Sequence, residues 1–126
     1  DEMIRRMDII SINCPLTKET KGLMSKKRLQ LMMQDSYIIN TSRSEIIDEN
    51  ALLQLLKTNK IAGAGLDVFR RIENRNSDLL KAPNTILIPH MGSATVEGRV
   101  EMGEKVIINI KTFIDGHNPP NRIIWK

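Results

Sequence analysis

Short apolar runs alternate along this chain with segments whose apolar positions recur every three or four residues, the two periods that separate strands from helices. Residues 8–14, DIISINC, form a β-branched run that reads as a buried strand, and Pro15 stops it. Ser25 can cap a helix over residues 26–33. Met24 and Leu29 stand at the two positions of a hydrophobic staple around that cap. Residues 37–41 are the next strand. Asp48 can cap a second helix over residues 49–58, with Leu52, Leu55 and Leu56 on one face. Residues 61–68 form a strand that contains two glycines. Residues 70–82 are polar and without period, and residues 85–88 form a fourth strand. A long helix over residues 95–115 is predicted from Val96, Val100, Ile107, Ile110 and Ile114. Gly116 ends it and Pro119-Pro120 prevents its continuation.

Strands that alternate with helices imply parallel pairing, because a parallel partner is reached only through a long crossover. Near-continuous apolar strands fit a sheet covered on both faces. The expectation is an α/β fold: a partial Rossmann-like parallel sheet with flanking helices. Four strands fall short of the six or so of a full doubly wound sheet.

Composition narrows the class. The chain has 126 residues, 40% of them apolar and only 3% aromatic, so its core must be aliphatic. The net charge of +4 is built from interspersed signs, with basic clusters at Arg5-Arg6, Lys26-Lys27-Arg28 and Arg70-Arg71. Those clusters read as solvated surface. A nucleic-acid surface would also show interleaved aromatics or a binding module. The single cysteine, Cys14, excludes an intramolecular disulfide and reads as a buried, inert thiol. No signal peptide or membrane-length apolar run is seen, so the expectation is a cytoplasmic protein with no membrane or nucleic-acid partner.

The chemistry gathers where the strands end. Arg43, Asp67 and His90 each close one of three apolar runs, and in an open parallel sheet the carboxyl ends of the strands share one edge, where ligands bind. An arginine, an aspartate and a histidine on that edge describe an active-site rim. Other motif matches carry less. Gly63-Ala64-Gly65 starts like a dinucleotide fingerprint, but the sixth position is Val68 and no helix follows directly. Close packing of backbone is the better reading of those glycines. Asn40-Thr41-Ser42 matches a glycosylation sequon in a chain with no secretory signal. His90 and His117 are far apart with no ligand cluster between them, so no metal is expected.

Three stretches, NTSRSEIIDENALLQLL, IAGAGLDVF and PHMGSAT, together with Cys14-Pro15-Leu16-Thr17 and Thr20, resemble the D-isomer-specific 2-hydroxyacid dehydrogenase family in order and in spacing. Within that family the chain looks most like glyoxylate/hydroxypyruvate reductases, and phosphoglycerate dehydrogenases have similar motifs. The resemblance implies NAD or NADP as cofactor, a small 2-oxo or 2-hydroxy acid as substrate, and a homodimer. It implies that Arg43 holds the substrate carboxylate and that His90 is the general acid. Pro15, Thr20, Thr41, Ser42, Arg43, Asp67, His90, Gly92 and Ser93 match cofactor-side positions. The residue types suit those roles: a planar guanidinium grips a carboxylate with two bonds, and an imidazole can give a proton near neutral pH.

Two departures stand out. Ser44 occupies the position of a family glycine. Ile72 occupies the position of the glutamate that pairs with the histidine, and Glu73 is displaced from it by one residue. A histidine without that carboxylate is a poorer acid at neutral pH, so impaired turnover is expected. The phosphate-binding glycine turn and the acidic residue that selects NAD over NADP precede this stretch in the family. The expectation is therefore that residues 1–126 are the carboxyl-terminal part of an NAD(P)-binding Rossmann domain. Residues from about 95 to 126 would lead back to an absent substrate domain and expose an apolar helix face. Alone, the chain would be inactive. The alternative from another class is a catalytically impaired relative that senses NAD or binds a partner.

Overall fold

The computed structural model describes residues 1–69 and 78–124. Four parallel strands form one sheet in the order β1-β2-β3-β4. They are β1 (Ile9–Ile12), β2 (Tyr37–Asn40), β3 (Gly63–Leu66) and β4 (Thr85–Leu87). The helices are α1 (Lys26–Leu29), α2 (Glu49–Lys57) and α3 (Val96–Ile114). Each predicted strand is present but shorter, because apolar runs continue past the last paired residue. The first helix stops at Leu29 instead of Met33, and the chain continues in turns. Three short 3-10 turns at Met3–Arg5, Ser44–Ile46 and Asp78–Lys81 were not anticipated.

The caps form as the sequence implies. Ser25 accepts from the Arg28 amide at 3.5 Å and Asp48 from the Ala51 amide at 3.0 Å. Met24 and Leu29 are both buried. Gly116, with φ of +79°, takes the left-handed backbone that ends α3.

The chain divides into two compact units, Asp1–His90 and Met91–Lys126. In the first, parallel register stacks Ile10 on Ile38 and Ala64, and Ile12 on Asn40, Leu66 and Leu87. This sheet face joins Leu29, Ile46, Leu52 and Leu56 in one aliphatic core. The opposite face carries Ile9, Tyr37 and Ile86, all exposed. The expectation of a sheet covered on both faces is thus corrected for this unit: β1 alternates exposed and buried positions instead of being buried throughout. Cys14 is half-buried against the core, not fully enclosed.

The two strand glycines do serve close packing. A Cβ on Gly63 would stand 2.6 Å from the Asn84 carbonyl oxygen, and one on Gly65 would stand 3.1 Å from Ile39 Cδ1. In the second unit, Thr95 caps α3 by accepting from the Gly98 amide at 3.0 Å. No residue of α3 is buried, and Val96, Val100, Ile107, Ile110 and Ile114 are all exposed, in line with the expected exposed apolar helix face. Lys105 donates to Glu101 one turn away at 2.6 Å, and that bond, helped by the nearby charge, holds the Glu101 carboxyl below its usual range. No helix among the described residues is long and apolar enough to cross a membrane.

Candidate active site

The carboxyl edge of the sheet is assembled by main-chain bonds that run from one strand end to the next. The Asp67 amide donates to the Asn40 carbonyl at 2.9 Å, and the Ile88 amide to the Leu66 carbonyl at 3.0 Å. The His90 amide then donates to the Asp67 carbonyl at 3.0 Å. Three strand ends are thereby held in fixed register, and the residues that follow them converge. Arg43, Ser44, Glu45, Asp67, Val68, Phe69, Pro89 and His90 line one cleft of about 530 Å³. That volume lies in the range of small-molecule sites. Asp67 is buried, whereas Arg43 and His90 are exposed.

His90 has φ of +58°, in the left-handed region that L-residues other than glycine seldom occupy. Such a conformation persists only where surrounding bonds hold it, and here its amide is shared between the Asp67 and Ile88 carbonyls, both at 3.0 Å. Arg43 lies beyond β2 on a short loop. Its Nη1 donates to the Ser42 carbonyl at 2.8 Å, which uses one of five guanidinium N–H donors.

A second cleft of about 580 Å³ is lined by Asn13, Cys14, Pro15, Leu16, Thr41, Ser42 and Arg43. Here the Ser42 hydroxyl donates to the Cys14 carbonyl, and Thr41 Oγ1 donates to Asn13 Oδ1 at 3.3 Å. Thr20 lines neither cleft. Its hydroxyl donates to the Pro15 carbonyl at 2.7 Å and accepts from the Thr17 amide at 2.7 Å, so it braces the Pro15 loop. Arg43 belongs to both clefts. Gly92 and Ser93 lie in the second unit, where the Ser93 carbonyl stands close to Gly98.

The positions of the two sequence departures differ in what can be said of them. Ser44 opens a 3-10 turn, and the non-glycine residues with positive φ among those described are Asn59, Asn84 and His90. A serine therefore replaces the family glycine without left-handed strain. Ile72 and Glu73 lie outside the described residues. One residue of the edge escaped the sequence reading as a site position. Asn40, only 1% exposed, donates through Nδ2 to the Arg43 carbonyl at 2.9 Å and accepts at Oδ1 from the Ser42 amide at 3.0 Å. A polar residue closing an apolar strand was the available signal. Among the described residues no group of three His, Cys, Asp or Glu side chains could hold a metal ion.

Comparison with known proteins gives this edge a context. Residues 1–92 match the family described as D-isomer specific 2-hydroxyacid dehydrogenase, NAD binding domain. The chain is 45% identical over 123 residues to a glyoxylate reductase of Thermococcus litoralis, a match that covers 98% of this chain and 37% of the relative. Among solved structures, a protein from Thermus thermophilus superposes with a TM-score of 0.91 at 33% identity, covering 98% of this chain and 40% of that one. An NADPH-dependent glyoxylate/hydroxypyruvate reductase from Sinorhizobium meliloti, in complex with NADP and malonate, superposes with a TM-score of 0.80 at 34% identity over 90% of this chain and 35% of that one. The chain thus spans about two-fifths of the length of these relatives. With its four-stranded parallel Rossmann-like sheet and a family match over residues 1–92, this chain belongs to the D-isomer-specific 2-hydroxyacid dehydrogenases, through their NAD-binding domain.

Proposed function

We propose that this chain is part of an oxidoreductase that moves a hydride between NAD(P)H and a small 2-oxo acid, glyoxylate or hydroxypyruvate being the substrates its relatives favour. The observation that carries this reading is the convergence of Arg43, Asp67 and His90 on one cleft. The cleft beside Pro15, Thr41 and Ser42 has a volume and a set of hydroxyls suited to the nicotinamide end of the cofactor. Those residues, with Arg43, Asp67 and His90, would hold it. On the resemblance alone, Gly92 and Ser93 join them, and Thr20 acts through the Pro15 loop.

The cofactor, when bound, supplies the hydride that reaches the carbonyl carbon. The rest falls to the chain. Arg43 grips the substrate carboxylate with its planar fork and draws electron density from the adjacent carbonyl. His90 gives a proton to the carbonyl oxygen as the carbon is reduced, and the product is the 2-hydroxy acid. Asp67 lines the same cleft as Arg43 and His90, and on the resemblance alone it would contact the nicotinamide from there. The homodimer belongs to the same proposal, and sedimentation of the complete protein tests it.

The test of function follows loss of NADH or NADPH absorbance with glyoxylate, in the complete protein that carries this chain. Turnover in the wild type that falls at least ~100-fold in Arg43→Ala and His90→Ala supports the reading. Turnover untouched by both changes overturns it. Ile72 at the family glutamate position favours a second reading, an impaired relative that binds NAD without efficient turnover. Cofactor binding with no measurable reduction of any small 2-oxo acid would select it.

A further inference from the structure

The structure assigns Asn40 as a positioning residue for Arg43: its buried carboxamide clamps the main chain on both sides of the Ser42–Arg43 peptide and so aims the guanidinium loop. The inference rests on the reading of Arg43 as the substrate-carboxylate residue.

The geometry is specific. Asn40 ends β2 on the core-facing side, in register with Ile12 and Leu66, where a polar side chain has no solvent to turn to. It is 1% exposed, and both ends of its carboxamide are used. Oδ1 accepts from the Ser42 amide at 3.0 Å and Nδ2 donates to the Arg43 carbonyl at 2.9 Å. Its own carbonyl accepts from the Asp67 amide at 2.9 Å. One residue therefore joins the arginine loop to the aspartate strand end. Only a side chain with an acceptor and a donor at the same reach can close both loop bonds. A carboxylate closes the first and sets a second oxygen against the Arg43 carbonyl. A protonated carboxyl group, in contrast, is an isostere of the carboxamide, with a donor and an acceptor in the same places.

This chemistry supplies a reversible test. In the complete protein, Asn40→Asp is compared with wild type at pH 8 and pH 5.5, with circular dichroism verifying the fold. The expected result is a KM for glyoxylate raised roughly tenfold or more relative to wild type at pH 8, from the lost bond and the carbonyl repulsion, with a smaller change in kcat. At pH 5.5 the ratio should return toward one, because burial favours the protonated form of the new carboxyl. Asn40→Ser, too short to bridge both groups, should raise KM at both pH values without acid rescue, and it carries the test if Asn40→Asp is unfolded at pH 8. A kcat loss with unchanged KM, and no return in acid, would mean that Asn40 serves the fold alone and would overturn the inference.

Failure of the functional reading looks different. There the wild type does not reduce glyoxylate, or Arg43→Lys leaves KM unchanged. In that event hydrogen exchange of the Ser42 amide in the 126-residue chain still decides the clamp. Protection lost in Asn40→Ala, which has no acceptor to offer the Ser42 amide, and retained in Asn40→Asp, whose carboxylate still accepts from it, supports it. Protection in Asn40→Ala equal to that of wild type refutes it.

Discussion

The His90 amide is bonded to the Asp67 carbonyl at 3.0 Å, and His90 holds a left-handed backbone with φ of +58°. The two facts belong together: the chain leaving β4 must turn sharply at Pro89-His90, and the bond to the neighbouring strand end retains it there. Strain of this kind costs about 1–2 kcal/mol for an L-residue. His90→Gly should therefore be more stable than His90→Ala by about 1 kcal/mol in urea denaturation, because only glycine takes this φ freely. Equal midpoints for the two variants would show that the turn is not strained. Both should lose reduction of glyoxylate in the complete protein.

Gly63 faces the Asn84 carbonyl so closely that an added Cβ would sit at 2.6 Å from it, a distance no relaxed structure allows. Gly63→Ala must push the β4 entrance away from β3 and should cost about 2–3 kcal/mol, the scale of an overpacked core. Gly65→Ala meets only the tip of Ile39 at 3.1 Å and should cost less. Thermal denaturation of the two variants checks the order. Gly65→Ala proving the more damaging would contradict the packing account.

Arg43→Lys keeps the charge and removes the fork. If Arg43 binds the substrate carboxylate through two parallel bonds, KM for glyoxylate in the complete protein should rise ~10–100-fold. Affinity for the cofactor should change less. Steady-state kinetics with varied glyoxylate read this directly, and an unchanged KM assigns the carboxylate to another group.

Ile72 lies outside the described residues, and its importance comes from the family resemblance alone. Ile72→Glu in the complete protein should raise kcat, because a carboxylate beside the imidazole favours its protonated form. The alkaline limb of the pH profile should move upward with it. No gain in kcat together with an unmoved alkaline limb rejects the idea that this position limits the acid.

The 126 residues contain no G-x-G-x-x-G turn, and Gly63 and Gly65 lie inside β3, where packing occupies them. We therefore expect the isolated chain to bind NAD very weakly and to turn nothing over. Isothermal titration with micromolar NAD affinity would contradict this.

Local signals were legible where they depend on near neighbours in the chain. The caps at Ser25 and Asp48, the stop at Gly116 and the helical span of α3 each follow from a few adjacent residues, and each is present. The strand cores were legible too, although their ends were placed one or two residues too far, because apolar character outlasts pairing. The left-handed His90, the 3-10 turn at Ser44–Ile46 and the open outer face of the sheet were not legible. Each depends on what a distant segment does.

From sequence alone came the alternation of strands and helices, the parallel sheet, and the three chemically armed strand ends at Arg43, Asp67 and His90. These follow from side-chain period and from residue type, which are local properties of the polymer. Tertiary structure decided that the three meet on one cleft, that the Thr20 hydroxyl bonds to the Pro15 carbonyl, and that Asn40 grips the arginine loop. The cleft depends on strand register, which exists only once segments far apart in the chain are brought side by side. The Thr20 and Asn40 bonds reach only two to five residues along the chain, but they depend on a backbone conformation that side-chain period and residue type do not report.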